Sequence, residues 1–338
     1  MHFGLFLEWP NAGARPWHEA FEEGVAQAVL AEAMGFDFCL IAEHHFSDYS
    51  VAPAPLLEAL AILRATTSMR VGTAVAVLPE WQPLRLAEEM AVVDQLSGGR
   101  FIAGVGRGFA PFEQERFDVD VSQGRAAFEE SLEVLLKAWT EEDFTFDGRF
   151  VRVPHPTTVL PRPLQRPHPP LWLAGTSPDS IELVGRLGMT PITSVARGPE
   201  RLAAQRVEYQ QARARHGRAN EPLEVVAQGH AFVAETDAEV RAILPEARWQ
   251  RRGVPALVAR RVHRGVLDVQ PLDDEPDDDA LLDSQLFGTP AQLIERLRAL
   301  EAAGVTHVSM LMTFGGLDHE RVMRSIQLMG EAVIPSLR

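Results

Sequence analysis

The chain has 338 residues and is 46% hydrophobic, which is enough apolar material for one large barrel or two smaller domains. Its formal net charge of −15 argues against binding to nucleic acid or to an anionic membrane, because phosphate groups would repel it. Cys39 is the only cysteine, so an intramolecular disulfide and a cysteine-based metal cluster are excluded. The first residues show no signal-peptide pattern, and no window reaches the roughly 18 uninterrupted apolar residues of a membrane-spanning helix, so we expect a cytoplasmic protein.

Strand and helix patterns alternate along the chain. In order, we predict a strand at 3–7, a helix at 17–34, a strand within 38–46, a helix from 53 to 63, a strand at 71–78, a helix at 83–96, a strand at 100–105, a helix at 128–139, a strand at 170–174, a helix from 177, a strand at 191–195, a helix at 199–216, a strand at 223–233, helical segments over 238–262, a helix at 289–300, a strand at 305–312 and a closing helix at 319–333. Strands that alternate with helices predict a parallel sheet. Because both ends of the chain supply buried strands, we expect one α/β domain over 1–338, folded as a closed (β/α)8 TIM barrel.

Three segments stand outside this alternation. Residues 143–153, with Asp147-Gly148 at their centre, predict a small β-hairpin. Residues 154–170 are rich in proline and predict an irregular loop. Residues 267–283 are dense in aspartate and glutamate, which is typical of a solvated and mobile segment.

The second predicted strand is apolar and ends in Glu43, His44 and His45. In α/β folds ligands bind at the carboxyl ends of the strands, so this abrupt change predicts a reaction pocket. Alternation along a strand would place Glu43 and His45 on one face and His44 on the other. The alternative is structural: an ordinary loop histidine beside an ion-pairing glutamate. Trp9 and Trp81, just past the ends of two other strands, are further candidates for the pocket wall.

Two more strand ends carry groups that suit an anion. Arg107 stands between two glycines, and a guanidinium with open backbone beside it can bind an anion through two N–H groups. Gly175, Thr176 and Ser177 lie at a predicted helix N-terminus, which supplies backbone N–H groups, hydroxyls and the helix dipole. Together they predict a phosphorylated ligand. The alternatives are a plain N-cap at Ser177 and an ion pair at Arg107.

Two other kinds of site fit the sequence less well. Residues 104–108 superficially resemble a dinucleotide-binding fingerprint, but they lack a third glycine at the right spacing and no helix begins at once. A metal-dependent barrel hydrolase would need His-x-His on an early strand, whereas His44 and His45 are adjacent. We therefore expect neither a Rossmann site nor a metal site.

Several motifs, in this order and spacing, resemble those of the bacterial luciferase-like flavin monooxygenases. They are Glu43-His44-His45-Phe46, Val71-Gly72-Thr73-Ala74 followed by Leu78-Pro79, Asp94-Gln95-Leu96-Ser97-Gly98-Gly99-Arg100-Phe101, and Gly106-Arg107-Gly108. The resemblance covers nearly the whole chain and implies a (β/α)8 barrel. It implies that reduced FMN, supplied by a separate NAD(P)H:flavin reductase, reacts with O2 through a C4a-peroxyflavin to oxygenate a small organic substrate. It also implies a homodimer.

The resemblance further implies roles for individual residues. His44 would act as an acid or base in catalysis, together with Glu43. The FMN phosphate would be held by Arg107, Gly175, Thr176, Ser177 and Ser180. The flavin ring would lie near Glu43 and near Ala74 and Val75, in a segment where luciferases have a non-proline cis peptide bond. Residues 265–287 would form a mobile lid that excludes water from the active site.

The sequence also departs from the luciferase pattern. Gly106 stands where luciferase carries a reactive thiol, and Gly175 replaces an acidic residue. These changes leave flavin chemistry as the expectation but argue against aldehyde oxidation and light emission. Two alternatives stay open: a deazaflavin-dependent oxidoreductase that transfers hydride on the same barrel, and a flavin-binding protein without turnover.

Overall fold

A computed structural model describes residues 1–13 and 15–338. The strands are β1 (His2–Leu7), β2 (Phe38–Ile41), β3 (Arg70–Thr73), β4 (Ala76–Val77), β5 (Phe101–Gly106), β6 (Phe144–Asp147), β7 (Arg152–Thr157), β8 (Leu171–Ala174), β9 (Thr190–Ser194), β10 (Val226–Val233), β11 (Val262–His263), β12 (Val266–Leu267), β13 (Leu286–Gly288) and β14 (His307–Leu311). The helices are α1 (Trp17–Ala33), α2 (Pro55–Ala65), α3 (Pro83–Ser97), α4 (Pro111–Gln114), α5 (Gly124–Thr140), α6 (Pro178–Leu187), α7 (Gly198–Arg215), α8 (Asp237–Arg241), α9 (Leu244–Val258), α10 (Asp278–Ser284), α11 (Pro290–Ala302) and α12 (His319–Leu328).

Eight parallel strand positions close into a barrel. The order around the wall is β1, β2, β3, β5, β8, β9, β10 and β14, and β14 pairs again with β1. The short strand β4 continues β3 and pairs with the upper part of β5. The (β/α)8 prediction is therefore confirmed, and all the carboxyl ends of the wall strands lie on one rim.

The barrel strands are buried on both faces because helices cover the outside and side chains fill the inside. All four residues of β2 are buried, as are all six of β5. Burial of one large aliphatic side chain contributes roughly 1.5–3 kcal/mol, so these strands supply much of the stability of the barrel. Of the described residues, none belongs to a helix that is long and apolar enough to cross a membrane.

The structure differs from the predicted elements at several places, and it adds the short elements α4, β11, β12 and α10. The predicted strand 71–78 is interrupted, and the peptide bond between Ala74 and Val75 in the gap is cis, as the resemblance implies. The predicted helical stretch 238–262 divides into α8 and α9, because Pro245 in the first turn of α9 has no N–H to continue the preceding helix. Strand β13 was missed because its three residues are too few to show a period; it pairs with the end of β10.

The segments outside the alternation also take defined positions. Strands β6 and β7 pair antiparallel with Asp147 opposite Arg152, so the predicted hairpin is confirmed. The acidic segment runs beside α9 and ends in α10, and ion pairs join the two elements. Arg252 contacts Glu275 at 2.6 Å, and Arg248 contacts Asp278 at 2.6 Å. These pairs show where the segment lies, whereas its mobility stays a prediction.

Candidate active site

Glu43 lies just past the end of β2, where its carboxylate collects hydrogen bonds. It is only 4% exposed, and it accepts the backbone N–H of Val77 at 2.6 Å and the indole N–H of Trp81 at 2.8 Å. The Nε2 atom of His45 lies 3.3 Å from the same carboxylate. Glu43 and His45 therefore face one way, as alternation along the strand predicts. Two N–H donors fix the position of the Glu43 carboxylate.

His44 faces the other way and contacts a different carboxylate. Its Nδ1 atom lies 3.0 Å from Oε1 of Glu113, in α4. An ionised carboxylate only accepts, so the ring nitrogen is the donor. Burial by itself would lower the pKa of His44, but attraction and hydrogen bonding to Glu113, helped by Glu8 and Glu43, raise that pKa to about 9. The imidazole is thus held as a buried cation at neutral pH, ready to donate a proton.

A second pair of buried acids flanks this cluster. Glu8 accepts a hydrogen bond from Nε2 of Gln250 at 2.6 Å, and its burial raises the pKa of its carboxyl group. Burial, followed by repulsion from Glu43 and Glu113, raises the pKa of Glu80 to about 8, so Glu80 is largely protonated at neutral pH. The site can therefore hold protons on buried carboxyl groups as well as donate a proton from His44.

One set of these groups also has the spacing of a cation site. Ligand atoms of Glu43, His45 and Glu80 lie within 4.8 Å of one another. Oxygen and imidazole ligands of this kind suit Zn²⁺ or other divalent ions. Glu43 is already hydrogen-bonded by Val77 and Trp81, however, and Glu80 is largely protonated at neutral pH. The expectation that the site works without a metal stays a prediction.

The predicted phosphate residues come together around one cavity of about 460 Å³. Its lining includes Val75, Arg107, Gly175, Thr176, Ser177 and Ser180. Ser177 is the N-cap of α6 and accepts the backbone N–H of Ser180 at 3.3 Å, so the helix N-terminus opens directly on the cavity. Hydroxyls, backbone N–H groups and a helix dipole thus converge at one place.

Arginines complete this cavity. Among the described residues Arg107 has no carboxylate within ion-pairing distance, which leaves its guanidinium for a ligand. Arg197, which the sequence analysis missed, donates a hydrogen bond to Oγ1 of Thr176 at 2.7 Å. Arg125 also lines the cavity but is paired with Asp179. A phosphate group fits this set of donors, because a phosphate carries only oxygen acceptors and negative charge.

Glycines in β5 make room for the segment around the cis peptide bond. A Cβ atom at Gly106 would overlap the side chain of Val75, and one at Gly104 would overlap the carbonyl oxygen of Thr73. Val75 consequently reaches the cavity wall, whereas Ala74 packs against the core beside it and does not line the cavity. A side chain at position 106 would therefore have to displace the side chain of Val75.

Aromatic rings connect the acid–base cluster to two cavities. The ring of Phe109, which lines the phosphate cavity, lies 5.6 Å from the ring of His44. On the other side, the ring of Tyr49 lies 5.0 Å from His44 and lines a second cavity of about 540 Å³. Of the two tryptophans predicted for the pocket, Trp81 binds Glu43. The prediction for Trp9 was wrong, because Trp9 is buried against Phe21 in the core.

Comparisons with known proteins agree with this geometry. The family model described as "Luciferase-like monooxygenase" matches residues 1–307. The chain is 28% identical to the oxygenase component of a flavin-dependent trigonelline monooxygenase from Acinetobacter baylyi, over 99% of this chain and 95% of that one. It is 26% identical to an FMNH2-dependent dimethylsulfone monooxygenase from Pseudomonas putida, over 95% and 89% of the two chains.

Among solved structures, the monooxygenase RslO1 from Streptomyces bottropensis superposes with a TM-score of 0.89 at 27% identity, and the match covers 100% of both chains. The match of the family model over most of the chain, together with full-length likeness in sequence and structure, identifies the protein as a member of the luciferase-like monooxygenase family.

Proposed function

We propose that this protein is a monooxygenase that uses reduced FMN and O2 to oxygenate a small organic substrate. The observation that carries the proposal is the phosphate cavity, in which Arg107 and the N-terminus of α6 converge beside His44. Relatives that are named as flavin- and FMNH2-dependent monooxygenases support the same cofactor. One of them is named as an oxygenase component, which supports a separate NAD(P)H:flavin reductase as the source of reduced FMN.

In this proposal each group of residues has a distinct task. Arg107, Thr176, Ser177 and Ser180, with the backbone at Gly175, bind the FMN phosphate. Glu43, Ala74 and Val75 lie beside the ring. Bound reduced flavin supplies the electrons that activate O2. His44, protonated and fixed by Glu113, delivers a proton and can take one back only after that step. It is itself buried and packs against the buried ring of Tyr49, which excludes water from that side.

The segment 265–287 is proposed as the lid of this site. Leu272, Asp274 and Leu281 line the 540 Å³ cavity, so the segment already covers that side of the barrel mouth. Its ion pairs with α9 fix its resting position. We expect FMN binding to slow amide hydrogen exchange in 268–277, with the hairpin 144–157 as an internal control. Equal exchange with and without FMN would contradict the lid assignment.

FMN binding is tested by titration with the Arg107→Ala variant. Loss of a charge-assisted contact should weaken binding by about 2 kcal/mol, or roughly 30-fold. Arg152→Ala is the matched control, because Arg152 lies on the hairpin, does not line this cavity, and pairs with the exposed Asp147. Unchanged affinity in Arg107→Ala would place the phosphate elsewhere.

The reaction itself is tested by mixing the protein, loaded anaerobically with reduced FMN, with oxygenated buffer. We expect the absorbance of oxidised flavin to return more slowly than for free flavin, and His44→Ala to release hydrogen peroxide early. Reoxidation at the rate of free flavin would count against a monooxygenase. Tight binding of a deazaflavin in place of FMN would favour the hydride-transfer alternative.

A further inference from the structure

The 540 Å³ cavity beside His44 has a size suited to a small organic molecule, since ligand pockets generally span roughly 300–1,000 Å³. It shares no lining residue with the phosphate cavity, and Tyr49 lies between this second cavity and His44. A molecule bound there would lie next to the acid–base cluster without competing for the phosphate site.

Much of the cavity wall is apolar, and one unpaired cation stands in it. The apolar part comes from Val254, Pro255, Leu272, Leu281 and Phe287. Arg251 supplies the cation. In the part of the chain that the structure describes, no carboxylate lies within 4.0 Å of its guanidinium, and its buried Nε atom has no hydrogen-bond partner.

The neighbours of Arg251 on α9 show that arginines of this helix do not generally lack a carboxylate partner. Arg248 and Arg252 both pair with carboxylates of the acidic segment, at 2.6 Å in each case. Arg251 is the arginine that turns into the cavity. The one acidic residue in the wall, Asp274, is exposed and lies beyond ion-pairing distance. A partly buried guanidinium without a counter-charge is costly, so the site favours an anionic ligand.

A second unpaired polar atom lies in the same wall. Nε2 of His230 is buried without a hydrogen-bond partner, and the ring packs edge-on against Phe314. Burial, opposed by a hydrogen bond with Gln285 and reinforced by the charge of Arg251, lowers the pKa of His230 to about 4, so the ring is neutral at physiological pH. A neutral imidazole and a guanidinium together match the two oxygens of a carboxylate.

We propose that this cavity binds a small organic carboxylate, whose carboxylate group pairs with Arg251 and whose apolar body lies against Phe287 and the wall of α9. The inference rests on the proposed function in that it names the substrate class of the same active site. It requires only the described contacts of the cavity, and its test needs neither flavin nor turnover.

The test is calorimetric titration of the flavin-free protein with benzoate and with benzamide, its uncharged isostere. Benzoate should bind at least about 10-fold more tightly, because a charge-assisted pair with a partly buried guanidinium is worth that much. Arg251→Gln should remove this preference. Arg252→Gln, on the same helix but paired with Glu275, should keep it. Melting temperatures equal to that of the wild-type protein would show that neither change unfolds the protein.

Each other outcome overturns the proposal. Failure of benzoate to bind, equal affinity for benzoate and benzamide, or a preference retained in Arg251→Gln would show that the cavity does not select a carboxylate. The oxygen reaction described above is measured without any carboxylate, so the two claims fail separately. If benzoate binds as expected but bound reduced flavin reoxidises as fast as free flavin, this inference stands and the proposed monooxygenase activity is contradicted.

Discussion

Glu113→Gln should abolish most of the upward pKa shift of His44. The change keeps the shape of the side chain and its ability to accept the backbone N–H of His45, but it removes the negative charge 3.0 Å from Nδ1 of His44. A pKa of about 9 instead of the usual 6.5 corresponds to about 3 kcal/mol of favourable interaction with the protonated ring, since one pKa unit is about 1.4 kcal/mol. Without the charge of Glu113 the opposing effect of burial gains weight, and the pKa of His44 should fall well below 9, towards its usual value.

The sign of the effect on stability follows from the direction of the shift. Because the folded-state pKa of His44 is raised, its contribution to the free energy of unfolding is complete below pH 6.5 and is lost as the pH rises through 9. The wild-type protein should therefore lose up to about 3 kcal/mol from this group between pH 6.5 and 9. The Glu113→Gln variant should lose much less over the same range.

The assay is an NMR titration of ring-labelled histidine, combined with urea unfolding at several pH values. Glu115→Gln is the control, because Glu115 lies two positions further on but is exposed and pairs with Arg260. An unchanged His44 titration in Glu113→Gln would refute the argument that Glu113 holds the ring as a cation. An equal fall in the pKa of His44 in the Glu115→Gln control would refute it as well.

Three further predictions concern the scaffold around the site. Gly104→Ala should destabilise the protein by about 3 kcal/mol in urea unfolding, because its Cβ would overlap the carbonyl oxygen of Thr73, whereas Gly124→Ala, with only ordinary contacts, should be tolerated. Glu32→Gln should lower the melting temperature at pH 7, and its difference from wild type should vanish as the pH falls from 4.5 to 2. Burial opposes ionisation of Glu32, but hydrogen bonds from the backbone N–H groups of 67–69 lower the pKa of its carboxyl group to about 2. A difference in melting temperature between Glu32→Gln and wild type that persists at pH 2 would contradict this explanation. Trp81→Phe should cost about 1–3 kcal/mol of stability by removing a donor from the buried Glu43 carboxylate, and an unchanged unfolding curve would show that the hydrogen bond contributes nothing net.

The parts of the site that follow from local sequence were predictable. Glu43, His44 and His45 are adjacent, so the end of one apolar strand was enough to place them, and strand alternation gave their directions. Ser177 was recognisable because a helix-capping residue before a proline marks a helix N-terminus. In each case the signal lies within a few residues of the functional group.

The parts that depend on tertiary approach were not predictable. Glu113 reaches His44 from the short helix α4, which follows a different strand, and nothing near it in sequence marks it as a partner. Its only signal is its place after the end of β5, on the same rim, and the same holds for Arg197 after β9. Trp9 shows the opposite error. It follows a strand end, but its positive φ of 49° turns the side chain into the core.

The pairing of β1 with β14 has a consequence for biosynthesis. His2 stands opposite His307, so β1 is synthesised about 300 residues before the strand that covers its second edge. Throughout translation the nascent β1 presents an apolar, unpaired edge that other chains could join. The barrel can seal only after residues 307–311 have emerged. Folding yield in the cell should therefore depend on how well this edge is shielded until β14 has been made.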